Sequence, residues 1–231
     1  MTETAALLAL MQISDSAFPS GAFVHSYGLE QLVRERVVAD AEGLERFVTS
    51  VLEESLGTAD APASYIAACA GSIEEVVEID RALFAMKAAA ELREACVATG
   101  RRFLEEASVS GQSGNGTIGQ GYRLAVVGKT TPGCYPVAFG VVCHDLGVAP
   151  MDVPGAFLLG AVTAILQSAL RLMRVSHRDV QAALHRLRPL IAAIADGAIR
   201  SSVEHPLIAF NPLQDIASMR HERADARLFA S

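Results

Sequence analysis

The residues of this sequence with the greatest potential for metal binding or catalysis are its histidines and cysteines. They are His25, His144, His177, His185, His205 and His221, with Cys69, Cys96, Cys134 and Cys143. They form no HExxH pattern and no CxxC pair, the spacings of familiar zinc sites. Cys143, His144 and Asp145 are consecutive, but adjacent side chains converge on one ion only with help from the backbone. His221 is followed by Glu222, and these two residues could form a pair of metal ligands. A histidine at an interface or in solvent is the favoured interpretation, so we expect no metal ligand.

The glycine-rich stretch 110–121 and the residues after it carry near-matches to nucleotide-binding and hydrolase motifs. Gly114–Gly119 fits GxGxxG, but that motif binds a dinucleotide only between a strand and a helix, and the residues before it are polar and helical in pattern. Gly128-Lys129-Thr130 resembles the end of a P-loop, yet the motif's first glycine would fall at Arg123. Residues 111–115 miss the last position of a nucleophile elbow. We therefore expect no nucleotide and no other cofactor.

A hydrolase that pairs Ser20 or Ser113 with one of the histidines is the competing function. No part of the sequence places a nucleophile, a base and an orienting group at convincing spacing. We therefore expect no catalytic residue, and a protein that is not an enzyme.

The elements that would position these residues are predicted to be helices. Alanine is abundant and 51% of the residues are hydrophobic, which favours a packed all-α domain. Apolar residues recur at helical spacing over 44–56, with Gly57 as a possible end, over 72–108, and over 179–199, where Pro189 predicts a kink or break. A further helix is expected from about Pro154 to Arg174. Tyr122–Val127 is the best candidate for a short strand.

Charge and composition exclude several classes of function. The formal net charge of −7 argues against nucleic acid as the main partner, since phosphate binding needs clustered lysine and arginine. Val153–Leu170 has no charged residue, but proline and glycine interrupt it, so we expect a buried core helix and no membrane span. The N-terminus does not read as a signal peptide, which favours the cytoplasm.

Two segments are unusual for a simple helical domain. Residues 13–30 mix aromatic residues with proline and glycine, which predicts a shaped loop. Residues 212–231 place Met219, Leu228 and Phe229 among acidic and basic side chains whose charges cancel. A terminal segment with apolar anchors between opposite charges is suited to docking on a partner, whereas fraying in solution is the alternative.

The same segments carry a resemblance to the UreF family of urease accessory proteins, which extends along almost the whole chain. Ser14–Glu30 reproduces the family's Ser-Asp-x-x-x-Pro-x-Gly-x-Phe-x-x-Ser-x-Gly-Leu-Glu run, with Ala22 where a second glycine is common. Glu91, Arg93 and Gly100 match a central helix pattern in which Lys87 replaces an arginine. Residues 135–140 match the next block, and residues 216–222 with 227–229 match the ending.

The resemblance implies one all-α domain over residues 1–231, a bundle of about eight to ten helices that forms a homodimer. It implies a non-enzymatic scaffold that bridges a UreD/UreH-type accessory protein and a UreG-type GTPase, so that nickel is inserted into apo-urease. Modulation of GTP hydrolysis by UreG is a further expectation from the family.

The residues predicted to bind partners lie in the two segments and at Arg93. They are Phe18, Pro19, Gly21, Ser26, Gly28, Glu30, Arg93, Ser218, Met219, Arg220, His221, Glu222, Arg227, Leu228 and Phe229. Leu228 and Phe229 are expected to be apolar anchors, with Arg220 and Arg227 as charges at the rim. For Arg93, the alternatives are a snorkelling side chain or a polar pair that fixes the arrangement of helices.

Overall fold

The computed structural model describes residues 2–22, 25–111, 117–204 and 207–229 of the chain. Within these ranges the α-helices are α1 (Glu3–Ser14), α2 (Leu29–Arg34), α3 (Ala41–Val51), α4 (Ala61–Cys69), α5 (Ile73–Met86), α6 (Ala90–Val109), α7 (Thr117–Val127), α8 (Tyr135–Asp145), α9 (Val153–Leu172), α10 (His177–Glu204) and α11 (Pro212–His221). A π-helical segment, Leu52–Asp60, joins α3 to α4, and a 3-10 turn, Pro150–Asp152, precedes α9. The described residues contain no strand, which confirms the predicted all-α bundle.

The centre of the bundle is built by α4, α8 and α9, whose small residues allow close packing. Ala61, Ala63 and Ala67 of α4 are fully buried, and α8 crosses α4 at Gly140. A Cβ atom at Gly140 would lie only 2.2 Å from the carbonyl oxygen of Ser64, so the two helix backbones touch at a point where only glycine fits. This contact explains the glycine at the end of the 135–140 block.

An aromatic cluster fills the space between α6, α8 and α9. The ring centroids of Phe103 and Phe139 are 5.8 Å apart, and those of Phe139 and Phe157 are 6.0 Å apart. Phe18, from the loop after α1, packs on Phe103 at 5.3 Å. Such tilted ring pairs add to the free energy gained by burying the rings. The first predicted loop is therefore held to the body of the protein by its own phenylalanine.

The long apolar helix α9 passes through this core. By length and composition alone, Pro150–Leu172 could cross a membrane, with a mean hydropathy of 1.7 over its most apolar window, of which 56% is buried inside the protein. Leu158, Val162, Ile165 and Leu166 of this helix are fully buried against its neighbours. The predicted core helix is confirmed, with Pro154 in its first turn as expected.

Four of the element predictions were wrong in detail, the last of them at residues 87–89. The helix predicted to end at Gly57 continues through the π-helical segment into α4. The segment predicted as a strand at Tyr122–Val127 belongs to α7, where Tyr122 and Val126, one helical turn apart, are the buried residues. Of the kink or break predicted at Pro189, the break does not occur: this exposed proline lies within the continuous helix α10.

The helix predicted over 72–108 is divided at residues 87–89 into α5 and α6. The residues at the break are good helix formers, so tertiary contacts override their propensity. The ammonium group of Lys87 lies 2.8 and 2.9 Å from the two carboxylate oxygens of the buried Asp60. Arg93 donates to the carbonyl oxygens of Lys87 and Ala88, at 2.6 and 2.8 Å. An ion pair and a guanidinium thus hold the chain in an extended turn.

Candidate functional site

The main polar site of the described residues lies where the C-terminal segment meets α2 and the start of α6. We call it the C-terminal clasp and define it by the side chains and backbone groups that bond there. Its members are Ser26, Glu30, Arg34, Glu91, Ser218, His221, Arg227, Leu228 and Phe229.

The imidazole of His221 is the centre of the clasp. It is completely buried, with Nδ1 2.8 Å from a carboxylate oxygen of Glu91 and Nε2 3.0 Å from a carboxylate oxygen of Glu30. A doubly protonated ring can donate to both carboxylates, whereas a neutral ring can donate to only one. The last turn of α11 is therefore fixed between the first turn of α2 and the first turn of α6.

Glu30 also holds the backbone that follows α11. Its carboxylate accepts hydrogen bonds from the N–H groups of Leu228, at 2.9 Å, and Phe229, also at 2.9 Å. Burial raises the pKa of Glu30, but these N–H groups and the His221 ring outweigh it, so this pKa lies below its ordinary value. The ionised form of Glu30 is the one that binds the tail.

Glu91 completes the other half of the clasp. One of its oxygens accepts the hydroxyl of Ser218 at 3.0 Å, and the other faces His221 and, at 3.4 Å, a guanidinium nitrogen of Arg227. Arg34 adds a second bridge, donating to Glu30 at 3.2 Å and to the carbonyl oxygen of Ala226 at 2.5 Å. The carboxylates of Glu30 and Glu91 thus accept hydrogen bonds from five positions of the last helix and tail.

Local backbone geometry brings α2 and α11 together. Gly28, before α2, has a φ of +88°, a left-handed conformation that favours glycine. A Cβ atom there would lie 3.2 Å from the carbonyl oxygen of Gln214 and 3.3 Å from the Cβ of Ala217. The hydroxyl of Ser26 accepts the N–H of Glu30 at 3.3 Å. The sequence around this glycine therefore positions Glu30 and leaves room for α11.

The buried and exposed faces of α11 are the reverse of those in an ordinary surface helix. Gln214, Ser218 and His221 face inward at no more than 2% exposure, with Ala217 between them. Leu213, Ile216 and Met219, spaced three residues apart, face outward at 44%, 49% and 41% exposure. Hydrogen bonds of the buried polar side chains hold the helix in place, and its apolar stripe is exposed to solvent.

The predicted site residues fall into three groups. Ser26, Gly28, Glu30, Ser218, His221, Arg227, Leu228 and Phe229 meet in the clasp or beside it. Met219, Arg220 and Glu222 lie on the outer side of the same segment, where Arg220 pairs with Glu35 at 3.1 Å. Phe18, Pro19, Gly21 and Arg93 lie elsewhere.

The positions of Phe229, Leu228 and Arg93 can be compared with the roles predicted for them. The ring of Phe229 is 4% exposed and lies against the guanidinium of Arg171, 5.5 Å from its centroid, whereas Leu228 is 55% exposed. Arg93 does not pair with an acidic side chain among the described residues, because its bonds go to backbone carbonyls and its guanidinium lies over Phe84. Partner binding by all of these residues stays a prediction.

Sequence reasoning missed three members of the clasp region: Glu91, Arg34 and Arg171. Glu91 is part of the helix pattern quoted for the family resemblance, and that match was the one available signal. Its bond to His221 joins residues 130 positions apart, which no local pattern indicates.

The clasp does not have the geometry of a hydrolase or of a metal centre. Ser218 donates to Glu91, and both ring nitrogens of His221 face carboxylates, so no serine–histidine pair is formed there. No group of three or more potential ligands in the described ranges is arranged to hold a metal ion. Ser113 and Gly114–Gly116 of the earlier motif predictions lie outside the described residues.

A small pocket lies next to the clasp, beneath α11. Its walls include the Asp60–Lys87 ion pair, Tyr27 and Cys96. Burial lowers the pKa of Lys87, but the facing Asp60 carboxylate outweighs burial and the net shift is upward. Tyr27 has a φ of +57°, which is strained for a bulky residue.

Comparison with known proteins identifies the relatives of this chain. The family model described as UreF matches residues 38–188. A protein named "Urease accessory protein UreF" from Trichodesmium erythraeum is 35% identical over 227 residues, covering 97% of this chain and 96% of the relative. One of the same name from a Bacillus species is 32% identical over 231 residues, covering 97% of this chain and 99% of the relative. "Urease accessory protein UreF 2" from Brucella canis is 32% identical, with coverage of 96% and 91%.

Proposed function

Since the chain belongs to the UreF family of urease accessory proteins, we propose that it is a scaffold that bridges a UreD/UreH-type accessory protein and a UreG-type GTPase. The family supports a role in urease maturation. In this proposal the assembly delivers nickel to apo-urease, and nickel is cargo. The chain breaks no bond itself and works as a homodimer.

The observation that carries the proposal is the inverted orientation of α11. An apolar stripe of Leu213, Ile216 and Met219 faces solvent, while polar side chains of the same helix are buried. Exposed apolar side chains at helical spacing are typical of a surface that a partner covers. We assign this stripe, together with the exposed Leu228, to the UreD/UreH-type protein.

The clasp gives this surface its shape before a partner arrives. Ordering a flexible segment on binding costs about 0.5–1.5 kcal/mol for each immobilised side chain, and a preformed surface avoids that cost. His221, Glu30 and Glu91 fix the last turn of α11, and the N–H groups of Leu228 and Phe229 fix the tail. Phe229 then acts as an internal anchor of the tail, and Leu228 as an external one.

The test is copurification of the tagged chain with purified UreD/UreH-type and UreG-type proteins. The variant Leu213→Ser/Ile216→Ser/Met219→Ser removes the stripe. A matched control, Leu7→Ser/Leu8→Ser/Met11→Ser, removes three leucine or methionine side chains of α1 that are 54–62% exposed. We expect the α11 variant to lose the UreD/UreH-type protein and urease activation, and the α1 variant to keep both.

Light scattering on each sample measures whether the chain remains the homodimer that we expect. Binding of both proteins by the α11 variant at wild-type levels would refute the assignment of the stripe. Loss of the UreD/UreH-type protein by both variants would also refute it, because the effect would then follow from any loss of exposed apolar surface.

A further inference from the structure

A second candidate binding surface lies at the opposite end of α6 from the clasp. It is an open groove between the last turns of α6 and the second half of α7. We call it the α6–α7 groove. Its lining combines apolar residues of both helices, Leu104, Val109, Val126 and Val127, with a charged rim.

The groove has an apolar floor and apolar walls. Leu104 and Val126 form the floor, and each is 5% exposed. Val109 and Val127 form the walls, and they are 81% and 76% exposed. Leu124, on the same helix as Val127 and three residues before it, is 66% exposed. Residues three apart on a helix are neighbours on one face, so Leu124 extends the apolar strip of α7 beyond the groove wall at Val127. An exposed strip of this kind, edged by polar residues, is typical of a protein-binding surface.

The rim of the groove is positively charged. Three cations, Arg101, Arg123 and Lys129, face one acidic residue, Glu105, on a chain whose net charge is −7. Arg101 is held by the carbonyl oxygen of Pro132 at 3.0 Å, and Arg123 by the hydroxyl of Ser108. Neither arginine forms an ion pair within the described part of the chain. The guanidinium of Arg101 therefore remains available to a negatively charged partner. That of Arg123 also acts at longer range on the Asp145 carboxylate, where burial raises the pKa and Arg123 helps to lower it.

Lys129 also contributes positive charge to the rim of the groove. The chain has only two lysines, and the other, Lys87, is buried against Asp60. Lys129 follows the end of α7 with a φ of +58°, an uncommon conformation for a residue other than glycine. Its exposed ammonium group adds a third positive charge at the mouth of the groove.

We propose that the α6–α7 groove binds an acidic amphipathic helix of a second protein in the urease maturation assembly. The apolar strip would receive the leucine-like side chains of that helix, and the three cations would pair with its glutamate or aspartate residues. This proposal rests on the scaffold function proposed above and adds the chemistry of a second partner surface.

The placement of the groove suits a scaffold. Glu91 of the clasp and Val109 of the groove lie near opposite ends of α6, about 27 Å apart at 1.5 Å of rise per residue. Two partners can therefore contact this chain at the same time, one on α11 and one in the groove. A rigid helix through the bundle fixes the distance between them.

The test uses two groove variants and a matched control in the reconstituted assembly of UreD/UreH-type protein, UreG-type protein and apo-urease. Arg101→Glu/Arg123→Glu/Lys129→Glu reverses the rim, and Arg46→Glu/Arg178→Glu/Arg188→Glu reverses three exposed arginines elsewhere. Lys129→Glu with Val127→Ser breaks no side-chain hydrogen bond of the described residues and guards against misfolding. We expect both groove variants to bind one partner at least tenfold more weakly, and the control to bind all partners.

Hydrogen exchange then identifies the occupant. The partner that is lost should contain a helical segment, protected by the wild-type chain only, that combines apolar residues with a net negative charge. A protected segment that is neutral or basic overturns the proposal, as does retention of every partner by both groove variants. A fall in oligomeric mass with no loss of partners also overturns it, because a second copy of this chain would then fill the groove.

The two proposals fail separately. If the α11 variant keeps its partner while the groove variants lose theirs, the function assigned to α11 is wrong and the groove remains supported. If the groove variants keep every partner and the α11 variant loses one, the groove proposal alone is wrong.

Discussion

Helices α9 and α11 bury opposite kinds of side chain. In α9 the buried side is a row of leucine, valine and isoleucine, whereas the buried side of α11 is glutamine, serine and histidine. The first arrangement is driven by removal of apolar surface from water, and the second by directional bonds to Glu30 and Glu91. A helix held by its polar face leaves its apolar face exposed. The difference separates the part that folds the protein from the part that, in our proposal, binds.

The largest effect is expected in the aromatic core. Phe139→Ala removes a ring that is 1% exposed and contacts Phe103 and Phe157, so the free energy of unfolding should fall by about 3–5 kcal/mol. Denaturant titration measures the change. Hydrogen exchange of α11 in the folded protein should be unchanged, and selective loss of protection in α11 would contradict the separation of the two regions.

Removing the His221 ring should destabilise the C-terminal clasp and leave the core helices protected. His221→Ala leaves the buried carboxylates of Glu30 and Glu91 facing each other without the ring between them, a loss of about 3 kcal/mol for a broken buried pair. We expect hydrogen exchange to speed up over 212–229 while α8 and α9 keep their protection. Equal loss of protection in α9 would show that the clasp and the core unfold together.

Gly28→Ala tests the backbone requirement of the clasp. The φ of +88° disfavours any other residue by about 1–2 kcal/mol, and the new methyl group would press on the carbonyl oxygen of Gln214. The tail should become more accessible to protease, with a smaller change than for His221→Ala. Gly147→Ala is the control, since that glycine also has a positive φ but nothing lies within 4 Å of an added Cβ. Equal tail cleavage in both variants would count against our account of Gly28.

Acid should loosen the clasp before the core. The pKa of Glu30 is lowered in the folded state, so the stability that its carboxylate contributes is present above its ordinary pKa of about 4.5 and is lost as the pH falls through the lowered value. The protection factors of the Leu228 and Phe229 amides, which correct for the intrinsic pH dependence of exchange, should fall over that interval. Glu30→Gln should show lower protection already at neutral pH and a smaller acid-dependent fall. If wild type and variant lost protection with the same pH dependence, the titration of a group other than Glu30 would be responsible.

The smallest effect is expected for the exposed pair of Arg220 and Glu35. The arginine side chain is 60% exposed, and solvent screens such pairs. Arg220→Ala should leave the unfolding midpoint and tail exchange unchanged within error, although its place on the rim can still alter partner binding. A measurable loss of tail protection would show that the outer face also holds α11.

The sequence could predict the core more completely than the clasp. The apolar run with Pro154 in its first turn predicts α9 because burial and helix capping act locally. The break after Met86 was not predictable, since a lysine, an aspartate 27 residues away and a guanidinium impose it against helix propensity. Several residues of the tail were recognised as important by resemblance, but the bond between Glu91 and His221 depends on how distant helices pack.

We expect the clasp to order α11 and the tail before a partner binds. The most direct measurement is hydrogen exchange over residues 212–229, first in the isolated chain and then with the UreD/UreH-type protein bound. We predict slow exchange at α11, Leu228 and Phe229 in the isolated chain, and further slowing at α11 in the complex. Rapid exchange across the whole segment until the partner is added would contradict this account.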